Sequence, residues 1–173
     1  MPVPDLEIRP LLPSDSISEL TALLHRAYAS LAQMGLHYRA TDQDGDVTRN
    51  RIAQGQCLVA LDGGALRGTI LFRDTTQTRG CHWYDQPDVA CFGQFAVEPD
   101  LQGKGLGTAL IAHAEARAFA CGAREIALDT AEPATHLVSW YNRLGYRFIE
   151  HAQWSHTNYR SVILSKALAA QSS

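Results

Sequence analysis

The pattern of apolar and polar residues predicts strands and helices that are interleaved along the chain. Residues 6–11 alternate apolar and polar side chains and predict an opening strand. Residues 14–18 can cap a helix whose apolar positions recur at three- and four-residue steps. Residues 28–38 predict a loop at the end of this helix, and the polar residues 44–54 predict a short, exposed second helix.

The middle of the chain predicts a hairpin followed by a buried strand. Two extended apolar runs, residues 57–61 and 66–72, flank an Asp-Gly-Gly turn and predict an antiparallel hairpin. Residues 73–88 are too polar for a core segment and too rich in aromatic side chains for a simple linker. Residues 89–97 are apolar almost throughout, which is typical of a strand buried on both faces. Gly93 interrupts that run and predicts a bulge or the close approach of another backbone.

The last part of the chain predicts two further helices and three further strands. A helix is expected over residues 106–121, followed by a strand over residues 125–130. Pro133 introduces the next helix. Residues 146–151 and 159–166 predict a final antiparallel hairpin.

Composition and charge fit a single domain. The chain has 173 residues, 46% of them apolar, and we expect one domain over residues 1–173. The 15 basic and 18 acidic residues are well mixed and give a net charge of -3, which argues against a nucleic-acid partner and a polybasic membrane anchor. The sequence has no signal-like segment and no apolar run long enough to span a membrane, so we expect a cytoplasmic protein.

The cysteines and acidic residues do not predict a metal site. Cys57, Cys81, Cys91 and Cys121 lack the C-x-x-C or histidine spacing of a zinc site. Aspartates at alternate positions of residues 42–46 resemble the start of a calcium loop, but no glutamate follows at its last position. We therefore expect reduced structural thiols and no metal.

A glycine-rich turn joins the strand of residues 89–97 to the helix that follows it. Gly103, Gly105 and Gly107 leave little side chain in the way, so successive backbone N–H groups can turn toward one anion. The new helix adds N–H groups without intrahelical partners and the positive end of its dipole. These features predict a phosphate or pyrophosphate site.

The spacing around the glycines decides among the known phosphate loops. Lys104 is followed by Gly105 rather than by Ser or Thr, which excludes a Walker-type loop. A dinucleotide fingerprint would require Gly or Ala at the position of Thr108. The observed pattern, Gln102-x-x-Gly105-x-Gly107, resembles the acetyl-CoA loop of the GNAT superfamily of N-acetyltransferases.

A second block of sequence carries the same resemblance. Tyr141-x-x-x-Gly145-Tyr146 is similar to the Tyr-x-x-x-Gly-Phe/Tyr stretch that follows the loop in this family. Together the two blocks cover residues 89–166, the expected acetyl-CoA-binding half. The resemblance implies an α/β (α+β) fold, a GNAT-like single domain with a central mixed, twisted β-sheet of six to seven strands flanked by about four helices.

The resemblance also implies a cosubstrate, acetyl-CoA, and the residues that contact it. Tyr141 would lie beside the thioester sulfur and donate a proton to the departing thiolate. One position departs from the family, which often has Asn where this chain has Ala134. The implied cofactor-binding residues are two backbone positions and the loop: Ala96, Val97, Gln102, Gly103, Lys104, Gly105, Leu106, Gly107 and Thr108.

The group that takes the proton from the amine is left open by the sequence. An alkylammonium acceptor must lose a proton before attack, so a base or an ordered water is needed near it. Besides water there are four candidate side chains: His82, Asp85, Glu98 and Asp129. Four ring-bearing residues are candidates for the acceptor pocket, where aromatic faces attract cations: Trp83, Tyr84, Trp154 and His156.

These features predict an enzyme that transfers an acetyl group from acetyl-CoA to a primary amine by direct attack. A small-molecule amine is the preferred acceptor because the chain has no basic arm or appended recognition domain. A peptide or protein N-acetyltransferase is the alternative within this class, and a noncatalytic acyl-CoA-binding or sensing module is the alternative outside it. A homodimer is kept open, since dimers are common among such folds.

Overall fold

The computed structural model describes residues 6–169, which form a seven-stranded sheet and four α-helices. The strands are β1 (Leu6–Pro10), β2 (Gln56–Asp62), β3 (Ala65–Arg73), β4 (Val89–Val97), β5 (Glu125–Ala131), β6 (Arg147–Ala152) and β7 (Ser161–Ala167). The helices are α1 (Ile17–Gln33), α2 (Gly45–Ile52), α3 (Leu106–Ala120) and α4 (Thr135–Arg143), with short 3-10 turns at Arg39–Thr41 and Pro99–Leu101. The predicted fold class is confirmed.

The ends of the predicted domain, residues 1–5 and 170–173, lie outside the described residues. The extent of one domain over residues 1–173 therefore stays a prediction. Between residues 6 and 169, no helix combines the length and the apolar character that crossing a membrane requires.

The sheet is mixed, with strand order β1-β2-β3-β4-β5-β7-β6. Neighbouring strands run antiparallel except β4 and β5, which run parallel. These two strands pair only through Val89–Cys91 and Glu125–Ala127. They separate beyond Cys91, which opens a gap in the middle of the sheet.

Alternate residues of the central strands face two different layers of helices. On one face, Leu58 and Ile70 belong to an apolar cluster that contains Leu110 of α3. On the other face, Val59 belongs to a cluster that contains Leu24 of α1. Because both faces are covered, β2 and β4 are almost continuous apolar runs, as predicted for β4.

Helix α1 is longer than the sequence pattern predicts. Ser16 caps the helix by accepting a hydrogen bond from the Glu19 N–H at 3.1 Å, which agrees with the predicted start. The prediction of a loop over residues 28–38 is wrong in its first part, because α1 continues to Gln33. Leu31 is buried in that last stretch, so packing against the rest of the fold extends the helix.

The bulge in β4 lies one residue beyond the position that the sequence predicts. Leu71 pairs with Gly93, whereas Thr69 pairs with Ala96, so β4 has one extra residue between these pairs. Gln94 lies in this stretch with a left-handed backbone, φ +43°. Gly93 has no positive φ, and a Cβ built on it would meet nothing within 4 Å. Gly93 therefore leaves open space beside the bulge, and Gln94 forms it.

Residues 73–88 contribute to the core, contrary to the sequence prediction. Tyr84 is buried in a cluster with Val89 and Ile163. Its hydroxyl donates a hydrogen bond to Asp129 at 2.8 Å. Because the polar atom has a partner, a tyrosine from a polar segment can be buried without loss of hydrogen bonding.

Candidate active site

A cavity of about 440 Å³ lies where β4 and β5 separate. Its walls come from α1, the 3-10 turn that follows α1, the last turn of α2, β4, β5, α4, the glycine-rich loop and the segment between β6 and β7. Both halves of the chain therefore contribute to one site. A ligand in this cavity would contact the two sequence blocks that predicted a function as well as residues that no motif indicated.

The glycine-rich loop is shaped to receive an anion. Gly103 and Gly105 have φ values of +79° and +93°, and a Cβ built on either would meet nothing within 4 Å. The Ala109 N–H donates to the Gly105 carbonyl at 3.1 Å, so the N–H groups of residues 106–108 have no intrahelical partners. Open space, unpaired N–H groups and the helix dipole together suit a phosphate.

Close packing rather than backbone conformation requires glycine at position 107. A Cβ on Gly107 would lie 3.2 Å from the Phe95 ring and 3.3 Å from the Trp140 ring. These two rings line the cavity and stack with 6.2 Å between their centroids and 7° between their planes. A larger residue at position 107 would displace this stacked pair.

Most of the predicted cofactor-binding residues line the cavity. Lys104 is exposed and does not line it, and the side chain of Leu106 is buried in the apolar core. Leu106 can therefore contribute only its backbone. Seven predicted residues do line the cavity: Ala96, Val97, Gln102, Gly103, Gly105, Gly107 and Thr108.

Tyr141 reaches the same cavity from α4. Its ring lies 6.3 Å from Phe92, 5.1 Å from Trp140 and 6.1 Å from Tyr146, measured between centroids. The side chain is only 7% exposed, and burial raises the pKa of Tyr141 well above its usual value. The phenol is therefore protonated at neutral pH and has a proton to donate.

Of the four predicted base candidates, Asp129 lines the cavity and the other three do not. Glu98 forms a two-point ion pair with Arg26, with N–O distances of 2.8 and 2.7 Å. Asp85 accepts a hydrogen bond from a backbone N–H of its own loop at 3.1 Å. His82 is exposed. The structure therefore brings only Asp129 together with Tyr141 and the glycine-rich loop.

Two rings hold the Asp129 carboxylate from outside the cavity. Tyr84 donates to one carboxylate oxygen at 2.8 Å, and the Trp154 indole N–H donates to the other at 3.0 Å. The two rings stack with 6.2 Å between centroids. Trp83, Tyr84 and Trp154 were predicted to line the acceptor pocket, but they do not line the cavity. Only His156 of that predicted set does so.

Two arginines on the cavity wall, Arg39 and Arg51, were missed as site residues. Arg51 belongs to the polar helix α2, where nothing in the local pattern distinguishes it from exposed Arg49. Its position depends on how α2 packs against α1, where the hydroxyls of Thr21 and Thr48 lie 2.8 Å apart. Tertiary packing of this kind has no signal in a single sequence.

Three tyrosines, which we call the tyrosine wall, line the part of the cavity next to the arginines: Tyr28, Tyr38 and Tyr159. The ring centroids of Tyr28 and Tyr38 are 5.3 Å apart, and those of Tyr38 and Tyr159 are 4.9 Å apart. The Tyr38 hydroxyl accepts a hydrogen bond from the Ala131 N–H at 3.0 Å and lies 2.9 Å from the Thr130 hydroxyl. These bonds fix the wall to the end of β5.

Two histidines, His136 and His156, also line the cavity. Burial lowers the pKa of His156, and the positive charges of Arg39 and Arg51 lower it further, whereas Asp129 raises it. The net shift is downward from 6.5, so the His156 imidazole is neutral at neutral pH. A neutral imidazole can accept a proton.

The position that departs from the family pattern is part of the apolar core. Ala134 is 0% exposed and packs in a cluster with Leu31, Leu36 and Tyr159. It lies directly before α4 and gives that helix no side-chain cap. His136, two residues later, is a polar group from the same segment that lines the cavity.

The four cysteines are free. Burial raises the pKa of the Cys57, Cys81 and Cys91 thiols to about 11, which leaves them protonated and poorly nucleophilic at neutral pH. Within residues 6–169, no group of His, Cys, Asp and Glu side chains has the arrangement of a metal site.

The sequence matches the model of a known family, described as the acetyltransferase (GNAT) family, over residues 18–146. It is also similar to S-(2-succino)cysteine N-acetyltransferase from Bacillus subtilis (strain 168). The identity is 29% over 133 residues, which are 74% of this chain and 76% of the relative.

Solved structures with low sequence identity share the fold. A GNAT family acetyltransferase from Elizabethkingia anophelis with acetyl-CoA bound has a TM-score of 0.67 at 14% identity, with 95% of this chain and 99% of the other covered. The ribosomal-protein-S18-alanine N-acetyltransferase from Escherichia coli has a TM-score of 0.70 at 16% identity, with 96% of each chain covered.

Proposed function

Because this chain belongs to the acetyltransferase (GNAT) family, we propose that it acetylates the primary amine of a small molecule in the cavity between β4 and β5. The chain is an acetyl-CoA-dependent N-acetyltransferase, which sets aside the noncatalytic binding module. One observation carries the site assignment, namely that the glycine-rich loop and Tyr141 line the same cavity. The acceptor class and the role of each residue are our proposals.

The residues around the loop fit acetyl-CoA. Gly103 and Gly105 leave open space beside the N–H groups of residues 106–108, which suits the pyrophosphate. Beyond Cys91, β4 has no pairing with β5, so the strand edge is available to the pantetheine arm. We assign that contact to backbone groups of Ala96 and Val97. The relative from Elizabethkingia anophelis binds acetyl-CoA on a similar fold.

Acetyl-CoA supplies an activated acetyl group, and attack by an amine exchanges its carbon–sulfur bond for a carbon–nitrogen bond. We assign to Tyr141 the donation of a proton to the departing sulfur. Its raised pKa keeps the phenol protonated until that step, and its position on the cavity wall suits a direct transfer. The amine nitrogen must in turn lose a proton to a base.

We assign two different roles toward the amine to Asp129 and His156. A carboxylate is a weak base toward an alkylammonium, because their ordinary pKa values differ by about 6 units, or about 8 kcal/mol. We therefore assign to Asp129 the attraction of the cationic amine. His156 is neutral at neutral pH and lines the same cavity, so we assign to it the acceptance of the proton, directly or through a water.

A small-molecule acceptor is favoured over a peptide by the curated relative. That protein is named for acetylation of S-(2-succino)cysteine, and it is 29% identical to this chain. The Escherichia coli protein, which is named for a ribosomal protein alanine, is 16% identical and shows only a shared fold. S-substituted cysteines are therefore the first acceptors to test.

The proposal is tested by titrating the purified protein with acetyl-CoA in a calorimeter and then measuring thiol release with two sets of acceptors. One set contains small primary amines, including S-(2-succino)cysteine, and the other contains peptides with a free N-terminal alanine. We expect acetyl-CoA binding and turnover of the small amines. Turnover of the peptides alone would overturn the small-molecule assignment, and no acetyl-CoA binding would overturn the site.

A further inference from the structure

Two cations on the cavity wall lack a carboxylate partner within residues 6–169. Neither Arg39 nor Arg51 has a carboxylate oxygen within 4.0 Å among the described residues. Arg51 donates one hydrogen bond, to the side-chain oxygen of Gln43 at 2.8 Å. Arg49, two residues earlier on α2, is instead paired with Asp46 at 3.0 Å and does not line the cavity.

The charge on Arg51 is costly where it lies. Burial is the main cause that lowers the pKa of Arg51 to about 10, and the charges of Arg39 and Arg73 act in the same direction. Tyr28 and Asp129 oppose this shift. The guanidinium is still charged at neutral pH, but it is less stable than in water. A bound anion would replace the lost solvation and favour the charged form.

A chain of hydrogen bonds connects Arg51 to the bulge of β4. A guanidinium can only donate, so the bond from Arg51 fixes the Gln43 amide with its oxygen toward the arginine. The Gln43 nitrogen then donates to the Gln94 side-chain oxygen at 3.1 Å and to the Thr48 hydroxyl at 2.9 Å. The Gln94 nitrogen is buried and has no partner within the described residues. The network therefore links the Arg51 guanidinium to a second donor, the Gln94 amide nitrogen.

One negative charge faces these groups. Among the described residues that line the cavity, Asp129 is the single carboxylate. It lies close enough to raise the pKa of both Arg51 and His156. The cavity thus combines one anionic group with two cationic groups, which matches a ligand that carries both an ammonium and a carboxylate.

We propose that the acceptor is an amine that also carries a carboxylate, as an α-amino acid does, and that Arg51 and Arg39 bind this carboxylate while Asp129 attracts the amine. The inference rests on the proposed function and specifies its substrate class. Two arginines beside the site bind a carboxylate by charge-assisted hydrogen bonds, which would orient the amine of the same molecule in the cavity.

The test compares acceptors that differ only in the carboxylate. Thiol release is measured with acetyl-CoA and three pairs: S-methyl-L-cysteine with S-methylcysteamine, L-methionine with 3-(methylthio)propylamine, and L-phenylalanine with 2-phenylethylamine. We expect the amino acid to be preferred in at least one pair. Loss of a hydrogen bond to a charged group should raise its KM roughly 10- to 100-fold in Arg51→Gln, with little effect on the matched amine.

Three variants control this experiment. Arg49→Gln removes a charge from the same helix outside the cavity and should leave both acceptors unchanged. Arg51→Lys keeps the charge and should restore part of the preference. Arg39→Gln changes an exposed residue, so it tests the same idea without a risk to folding. Calorimetry with acetyl-CoA should give the same affinity for every variant.

The outcomes separate this inference from the proposed function. If acetyl-CoA binds but the amines without a carboxylate are used as well as their amino acids, the carboxylate site is wrong. The same conclusion follows if no member of any pair is used, or if Arg51→Gln and Arg49→Gln behave alike. If the wild-type protein does not bind acetyl-CoA, the proposed function itself is overturned.

Discussion

The hydroxyl of Tyr28 donates a hydrogen bond to the carbonyl oxygen of Phe95 at 2.9 Å. This bond joins α1 to the bulge of β4. Gln94, the neighbouring residue, has φ +43°, a conformation that costs about 1–3 kcal/mol outside glycine and persists only when its surroundings impose it. Tyr28 therefore helps hold the strand in the shape that exposes Ala96 and Val97 to the cavity.

We predict that Tyr28→Phe lowers the free energy of unfolding by about 1–2 kcal/mol and weakens acetyl-CoA binding severalfold. Urea unfolding and calorimetric titration measure the two effects. Tyr146→Phe is the control, because its hydroxyl lies 3.4 Å from Glu115 and its ring does not line the cavity. An unchanged acetyl-CoA affinity in Tyr28→Phe would show that the bulge keeps its shape without this bond.

The cofactor half of the site could be predicted because the residues that form it are close together in the sequence. Gly103 and Gly105 need a left-handed backbone, and the helix dipole needs only the start of α3, so short-range spacing carries the information. Tyr141 was found for a similar reason, since it belongs to one contiguous block. In these segments the residues that act together are close in sequence.

The acceptor half could be predicted only in part, because its residues meet only in the folded chain. Asp129 and His156 were among the sequence candidates and do line the cavity, whereas Arg39 and Arg51 were not among them. Four residues of this half come from separate parts of the chain, and packing of the helices on the sheet brings them together: Tyr28 of α1, Arg51 of α2, Asp129 of β5 and Tyr159 of the loop before β7. The sequence pattern even suggested the opposite for Arg51, since α2 has a polar composition. A charged residue that faces a cavity and one that faces solvent look alike in sequence.

Alanine variants of two glycines at opposite ends of α3 can distinguish the effect of backbone strain from the effect on ligand binding. Gly105 and Gly122 have φ values of +93° and +85°, and a Cβ on either would meet nothing within 4 Å. We predict that alanine at either position destabilises the fold by about 1 kcal/mol, because the same left-handed conformation is lost. Only Gly105→Ala should also weaken acetyl-CoA binding, by about tenfold or more, since its Cβ would enter the space assigned to the pyrophosphate.

Thermal unfolding and calorimetry of the two variants provide the comparison. Because both substitutions carry the same backbone strain, a loss of affinity in Gly105→Ala alone is attributable to the loop. Equal affinities in the two variants would remove the pyrophosphate from this loop.

We predict that Tyr141→Phe reduces kcat by about 100-fold or more and leaves the dissociation constant of acetyl-CoA unchanged. The ring contacts with Phe92, Trp140 and Tyr146 remain, so the fold should keep its stability. Steady-state kinetics beside calorimetry separate the two parameters. A variant with normal kcat would assign the proton transfer to another group, and one with weakened cofactor binding would make Tyr141 a binding residue.

Buried phenols should also set the alkaline limit of stability. Burial raises the pKa of Tyr28, Tyr84 and Tyr141 above their usual value of 10.0. A group whose pKa is higher in the folded state contributes stability below its unfolded pKa and loses it as pH rises further. We therefore predict that the buried phenols reduce stability as pH rises above about 10, where unfolding and tyrosinate absorbance should appear together. The buried thiols, whose pKa is raised from 9.0, should begin this loss about one pH unit earlier. Tyrosinate absorbance that rises while the fold stays intact would contradict this.

The pH dependence of kcat/KM tests the base. His156 must be neutral to accept a proton, and burial together with Arg39 and Arg51 lowers its pKa from 6.5. We predict that activity falls on the acid side with a midpoint below 6.5 and that His156→Gln removes most of the activity.

Neighbouring charges should move this midpoint in opposite directions. Asp129 raises the pKa of His156, so Asp129→Asn should shift the midpoint to lower pH and raise the KM of the amine. Arg51 lowers the same pKa, so Arg51→Gln should shift the midpoint to higher pH. Profiles of the wild type and both variants, measured with one acceptor, give the three midpoints. Opposite shifts are expected for a group whose pKa both charges affect. A midpoint common to all three proteins would mean that the ionising group is not His156.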